Sequence, residues 1–206
     1  NALANQNFTT ATDSYNVGIG YSAGDAITTG KQNTIVGGLA ADAVTTGTNN
    51  VAVGYLALTT ETAGDNSVAI GRSALGTQNV TTGGNIYNVA VGHSAGGAVT
   101  TGTNNTFIGG LAGDALTDAD SNTAVGLAAL STDTLGSKST ALGQSALQNQ
   151  NFTTATDVYN VAVGFNAGIT ITTGVQNTIL GALAGDGLTD ADENVAVGIS
   201  ALSGDT

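Results

Sequence analysis

The densest sets of chemistry-bearing side chains are two acidic runs, GDALTDAD and GDGLTDAD. They place Asp114, Asp118 and Asp120 and, 72 residues on, Asp186, Asp190 and Asp192. Three carboxylates within seven residues supply hard oxygen donors, and with added carbonyls and water such a set suits calcium. The spacing matches neither an EF-hand loop nor the calcium-binding nonapeptide repeat. An earlier copy keeps Asp42 but reads TGT at 46–48. The competing reading makes these acids turn formers and solubilising charges. The single histidine, His93, stands where the equivalent positions hold Tyr21 and Phe165, so it reads as a surface residue. No serine and acid recur around it, which argues against a nucleophile–base–acid triad. Gly18-Ile19-Gly20 and Gly37-Gly38 lack the following helix and acid of a nucleotide loop. No group of acids, bases and nucleophiles stands apart from the repeat described below, so no catalytic residue and no enzymatic activity is expected. Calcium is the one cofactor for which ligands are present.

A second candidate set lies in longer segments, Gly76–Tyr87 and Leu147–Tyr159, with Leu3–Tyr15 as the remnant of a third. Phe8, Val80 and Phe152 occupy equivalent places, followed by Tyr15, Tyr87 and Tyr159. Protruding loops with such anchors suit contact with a glycan or protein receptor. The alternative is that the side chains fold back and cover their own loop.

Composition removes whole classes of function. There is no Cys, so disulfides, thiolate zinc sites and catalytic thiols are excluded. Fifteen acids against three bases give a net charge of −12, which argues against a phosphate-facing nucleic-acid surface. Gly reaches 31 residues, yet Pro is absent and no three-residue period exists, so collagen is excluded. Charged residues are only 9% of the chain, too few for a disordered segment of this hydropathy. No apolar run approaches the ~20 residues of a membrane span. No secretory leader is evident, and the start at Asn1 suggests an excerpt of a longer chain.

These residues are positioned by a repeat. One glycine marks each unit: Gly20, Gly37, Gly54, Gly71, Gly92, Gly109, Gly126, Gly143, Gly164, Gly181 and Gly198. The spacings run 17, 17, 17, 21, then the same again, then 17, 17, so four units form a set of 72 residues. The sets cover 1–16 in part, 17–88, 89–160 and 161–206 in part, as one repetitive domain. The residue before each anchor is aliphatic, and the third residue after it is always Ala. The fourth before it is Asn in nine of eleven units, with Ser67 and Ser139 as the exceptions. The eighth after it is Thr in every complete 17-residue unit, from Thr28 to Thr189.

The segment N-V-A-V-G alternates with period two and reads as a short strand. A second strand is expected over Ala26–Thr29 and its equivalents. A unit of this size cannot bury its apolar side alone, so stacking must close the core. The expected fold is all-β: a parallel β-solenoid of about eleven coils, a rod on the order of 50 Å long at ~4.8 Å per coil. The Asn column is expected to form an amide ladder. The aliphatic before each anchor is expected inside. The residue two before the anchor then lies outside: Ile35, Ala52, Ala69, Ala90, Phe107, Ala124, Ala141, Ala162, Ile179 and Ala196. A row of small apolar residues suits close packing of another copy of the chain, so this row is the candidate oligomer face.

The segments NVAVGYLAL (50–58), NSVAIGRSAL (66–75) and NTAVGLAAL (122–130) resemble the YadA-like head repeats of trimeric autotransporter adhesins. Similar units occur in bacteriophage tail-fibre proteins. The resemblance covers essentially the whole chain, although the family's units are nearer fourteen residues. It implies a left-handed parallel β-roll assembled as a homotrimer, with itself and a host-surface glycan or protein as partners. It implies a non-enzymatic, extracellular role, in a virion tail fibre or at a cell surface, as a stiff, protease-resistant rod. Two alternatives stand beside it: receptor or glycan binding through the long-coil loops, and ice binding through the Thr column.

Overall fold

The computed structural model describes residues 1–204. Its regular elements are strands only: Val17–Ile19 (β1), Thr34–Val36 (β2), Val51–Val53 (β3), Gly64–Asp65 (β4), Val68–Ile70 (β5), Gly84–Asn85 (β6), Val89–Val91 (β7), Thr106–Ile108 (β8), Thr123–Val125 (β9), Gly136–Ser137 (β10), Thr140–Leu142 (β11), Thr156–Asp157 (β12), Val161–Val163 (β13), Thr178–Leu180 (β14) and Val195–Val197 (β15). Eleven of them form one parallel sheet in the order β1-β2-β3-β5-β7-β8-β9-β11-β13-β14-β15. Each residue pairs with its repeat equivalent one coil on, as in Val51↔Val68 and Ile70↔Val91, so the 21-residue units stay in step with the 17-residue ones. The fold is therefore a β-solenoid of eleven coils.

The anchor glycine ends each strand because nothing else fits. Every anchor has φ between 123° and 141°. From Gly20 to Gly181, an added Cβ would also fall within 3.0 Å of the next anchor's backbone carbonyl. Two further corners per coil are left-handed without glycine: the column Ser22 to Ser200 and the column Tyr15 to Glu193 have φ from 50° to 64°. Such a conformation costs about 1–2 kcal/mol per residue. Here it is held by the stack, since Leu39 N–H donates to Tyr21 O (2.8 Å) and Gln32 N–H to Ser14 O (2.7 Å).

No strand forms over Ala26–Thr29. That wall is a ladder of bends, in which Thr28 N–H donates to Thr45 O (2.9 Å) and Thr28 Oγ1 donates to the same carbonyl (3.2 Å). The extra strands instead join each long unit to the 17-residue unit before it, where β4 pairs β6 and β10 pairs β12.

The two faces of the main sheet are reversed from the expectation. Ile35, Ala52, Ala69, Ala90, Phe107, Ala124, Ala141, Ala162 and Ile179 have no solvent exposure, and Ala196 has 1%. They are the core, so they cannot be an oligomer face. Of the aliphatics beside them, Ile19, Ile70, Ile108, Leu142, Leu180 and Val197 are exposed, from 37% at Ile70 and Leu180 to 66% at Val197, and Val36, Val53, Val91, Val125 and Val163 are half-buried. The reason is thickness. Inside a thin coil only a small residue fits opposite the far wall, so the interior selects Ala, and the β-branched residues stand on the outer pleat, where they stabilise the strand.

The far wall follows a complementary rule. Where the fourth residue after the anchor is Gly, as at Gly24, Gly96, Gly113, Gly168 and Gly185, the seventh is a large aliphatic: Ile27, Val99, Leu116, Ile171 and Leu188. Where the fourth is Leu, as at Leu58, Leu75, Leu130 and Leu147, the seventh is a buried polar residue: Glu61, Gln78, Asp133 and Gln150. Each coil thus admits one large apolar side chain on that wall.

Candidate functional site

The Asn ladder is continuous and extends further than the Asn residues themselves. Asn50 N–H donates to Asn33 Oδ1 (2.9 Å), and Asn50 Nδ2 donates to Gly64 O (2.8 Å). At the long units the repeat substitutes Ser67 and Ser139, whose N–H groups still donate to Asn50 and Asn122. Two glutamines that the repeat pattern did not flag then bridge the inserted residues. Gln78 Nε2 donates to Ser67 Oγ (3.0 Å) and to Glu61 Oε2 (2.9 Å), while its Oε1 accepts from Asn88 Nδ2 (2.9 Å). Gln150 repeats the arrangement with Ser139, Asp133 and Asn160.

The fully buried acids Glu61 and Asp133 close the long loops. Glu61 Oε1 accepts from Thr62 N (2.8 Å), Gly64 N (2.7 Å) and Val80 N (3.1 Å). Asp133 Oδ1 accepts from Gly136 N (3.1 Å) and Phe152 N (2.9 Å). These bonds satisfy amides that the loops would otherwise leave orphaned. The sequence signal is the pairing of each Ser exception with an acid six residues before it and a Gln eleven after it.

The loop anchors divide into two groups. Phe152 is 8% exposed, and Phe8 and Val80 are half-buried, folded onto their own loops. Ile86 and Val158, which sequence pattern did not select, are buried beside them. Tyr15, Tyr87 and Tyr159 stand out, 50–70% exposed. Lys138 lies over the Tyr159 ring at 5.3 Å and pairs with Asp157. Its pKa is raised by its hydrogen bonds to Asp157 and to the Tyr159 hydroxyl. Lys31 lies over Phe8 at 5.9 Å.

The acidic triplets do not converge. Asp118 Oδ1 accepts from Thr101 Oγ1, and Asp120 Oδ1 accepts from Thr103 N (2.6 Å) and Thr103 Oγ1 (2.9 Å). Asp192 Oδ1 accepts from Val175 N (2.8 Å), and Asp190 Oδ1 from Thr189 Oγ1 (3.2 Å). Three of these four thus serve the preceding coil. Asp114 and Asp186 each keep one buried carboxylate oxygen without a partner. Burial raises the pKa of Asp114, against a smaller opposite effect of its own backbone hydrogen bond. Among the described residues no group of three His, Cys, Asp or Glu side chains is placed to hold a metal ion.

The remaining candidates are engaged locally. His93 Nε2 lies 3.0 Å from Arg72 Nη1 on the surface. Thr28, Thr45, Thr100, Thr117 and Thr172 donate their hydroxyls to carbonyls one coil on, so this column does not present a free hydroxyl array. An apolar row runs along the outer face of the eleven-stranded sheet, with Ile19, Ile70, Ile108, Leu142 and Leu180 exposed along it, half-buried valines between them, and exposed Tyr21, Tyr55, Leu127 and Phe165 just after the anchors. Among the described residues no helix is long and apolar enough to cross a membrane. No protein-family model matches this chain, and no curated protein and no solved structure matches it either.

Proposed function

We propose that this chain is a structural segment of an extracellular homotrimeric fibre, in a phage tail or a bacterial surface appendage, and has no enzymatic activity. The observation that carries the reading is the outward Val/Ile/Leu face of the main sheet, which runs the length of the rod. Large exposed apolar patches mark interaction sites, and an isolated rod of this kind would aggregate. Association of identical copies along this face covers it evenly, because each copy repeats the same ridge at every coil. Resistance to proteolysis follows from a backbone bonded coil to coil, with cleavable segments held in the stack.

Sedimentation equilibrium tests the assembly. A trimer mass is expected for the chain, and a smaller species for a variant carrying Ile108→Ser, Val125→Ser and Leu142→Ser together. A wild-type monomer at micromolar concentration refutes the reading. The exposed Tyr87 and Tyr159 favour a second role in recognising a host-surface glycan or protein. Replacing both by Ser abolishes attachment in a cell-binding assay if that role is real and leaves it unchanged if the segment is a spacer.

A further inference from the structure

We propose that a groove across the coils of Gly54, Gly71, Gly92 and Gly109 binds a neutral saccharide. The groove has a volume of about 450 Å³. It crosses four coils, so its length is roughly 14 Å at ~4.8 Å per step, enough for two linked pyranose rings. Gly76 and Gly97 open it. The equivalent positions are Ala4 and Asp25 in the preceding set and Gln148 and Ile169 in the following one, so the other sets carry a side chain at both places where this one has none. The opening is specific to the junction of the 17–88 and 89–160 sets and is not a property of the fold.

The lining matches the chemistry of a sugar. Leu56 and Leu111 stand at the two ends, apolar surfaces for the C–H face of a ring. Between them Ser73 and Ser94 present hydroxyls from rigid corners, since Ser73 N–H donates to Tyr55 O (3.0 Å) and Ser94 N–H to Arg72 O (2.9 Å). Asp114 closes one end. Asp114 Oδ1 is buried in the wall, as is Asp186 Oδ1 72 residues on, so only the second carboxylate oxygen of Asp114 can meet a ligand. A carboxylate oxygen on the lining accepts a pyranose hydroxyl through a charge-assisted bond. No basic side chain lines the groove, so an anionic ligand is disfavoured. This inference does not rest on the trimer, and a monomeric rod would retain the groove.

Saturation-transfer difference NMR on the full chain tests it, with cellobiose, maltose and lactose as probes and putrescine as the cationic control. Transfer to the ring protons of at least one disaccharide is expected. The double variant Gly76→Gln/Gly97→Ile should abolish it. Those are the residues the following set carries at the same coil positions, and neither glycine has a left-handed backbone, so the fold is retained. Asp114→Ala, which changes no core residue, should weaken binding at least tenfold. The proposal is overturned by no transfer to any of the sugars, by transfer that survives the filled groove, or by binding of putrescine alone.

Discussion

Phe107 and Gly113 offer the sharpest test of how the thin core is filled. Phe107 is fully buried, and a Cβ added to Gly113 would lie within 3.0 Å of three of its ring carbons, on a backbone with φ +57°. Gly113→Ala therefore overpacks the coil, at about 1–3 kcal/mol. It also puts a side chain on a left-handed corner, at about 1–2 kcal/mol, partly offset by ~0.4–1 kcal/mol from a stiffer unfolded chain. The net loss expected is about 2–4 kcal/mol from these terms. Phe107→Ile alone leaves a partial void and costs on the order of 1–2 kcal/mol, below the range for full Phe truncation. The preceding set, however, carries Ile35 with Ala41 at these two places, both buried, with Ala41 at φ 44°. The double variant should thus recover most of the clash, a coupling of about 1–3 kcal/mol between touching residues. Urea denaturation midpoints of the wild type, both singles and the double measure it. Strict additivity would show that the ring and the glycine do not share space, and the one-large-residue rule would fail.

Other consequences follow from the ladder and the acids. Asn105→Ala orphans the Asn122 N–H and the Ala119 carbonyl, both now bonded to Asn105, and should cost about 2–4 kcal/mol at ~1–3 per unsatisfied group; a loss below that of a surface Asn in the same denaturation assay would refute the ladder's role. Asp114 has a raised pKa in the folded state, so its contribution is favourable below the ordinary carboxylate value and is lost as pH rises through the folded value. Asp114→Asn should therefore melt at a higher temperature than wild type near neutral pH, with the gap closing on acidification; a gap that widens at low pH reverses the assigned sign. Calcium or a chelator should leave the melting temperature of the chain unchanged, because Asp118, Asp120 and Asp192 already accept hydrogen bonds from the preceding coil; a calcium-dependent rise in melting temperature would show that the triplets bind metal after all.

The repeat made the architecture legible because a glycine that cannot be replaced and an Asn that bonds its own copy leave a strict period in the chain. The parallel sheet, the coil number and the amide ladder all follow from that period. Side-chain direction does not, because period-two alternation separates two faces without saying which is inside. Val beside Ala invites the assumption that the larger residue is buried, and that assumption fails when the enclosed space is narrower than two large side chains. Phe107 and Ile179 carried the correction in plain sight: a bulky residue once per set among alanines marks a core with one wide coil, opened by Gly113 and Gly185 opposite. Gln78, Gln150, Glu61 and Asp133 are hidden in the sequence for a related reason. Each looks like a solvated surface residue in one dimension, and becomes necessary only because four inserted residues break the ladder that the Asn column would otherwise continue. A groove made by two glycines is harder still to see, since it consists of what the neighbouring sets contain and this one lacks. Function in such a rod is therefore to be sought where the repeat departs from itself, at Gly76 and Gly97, and along the outer face that the departure leaves untouched.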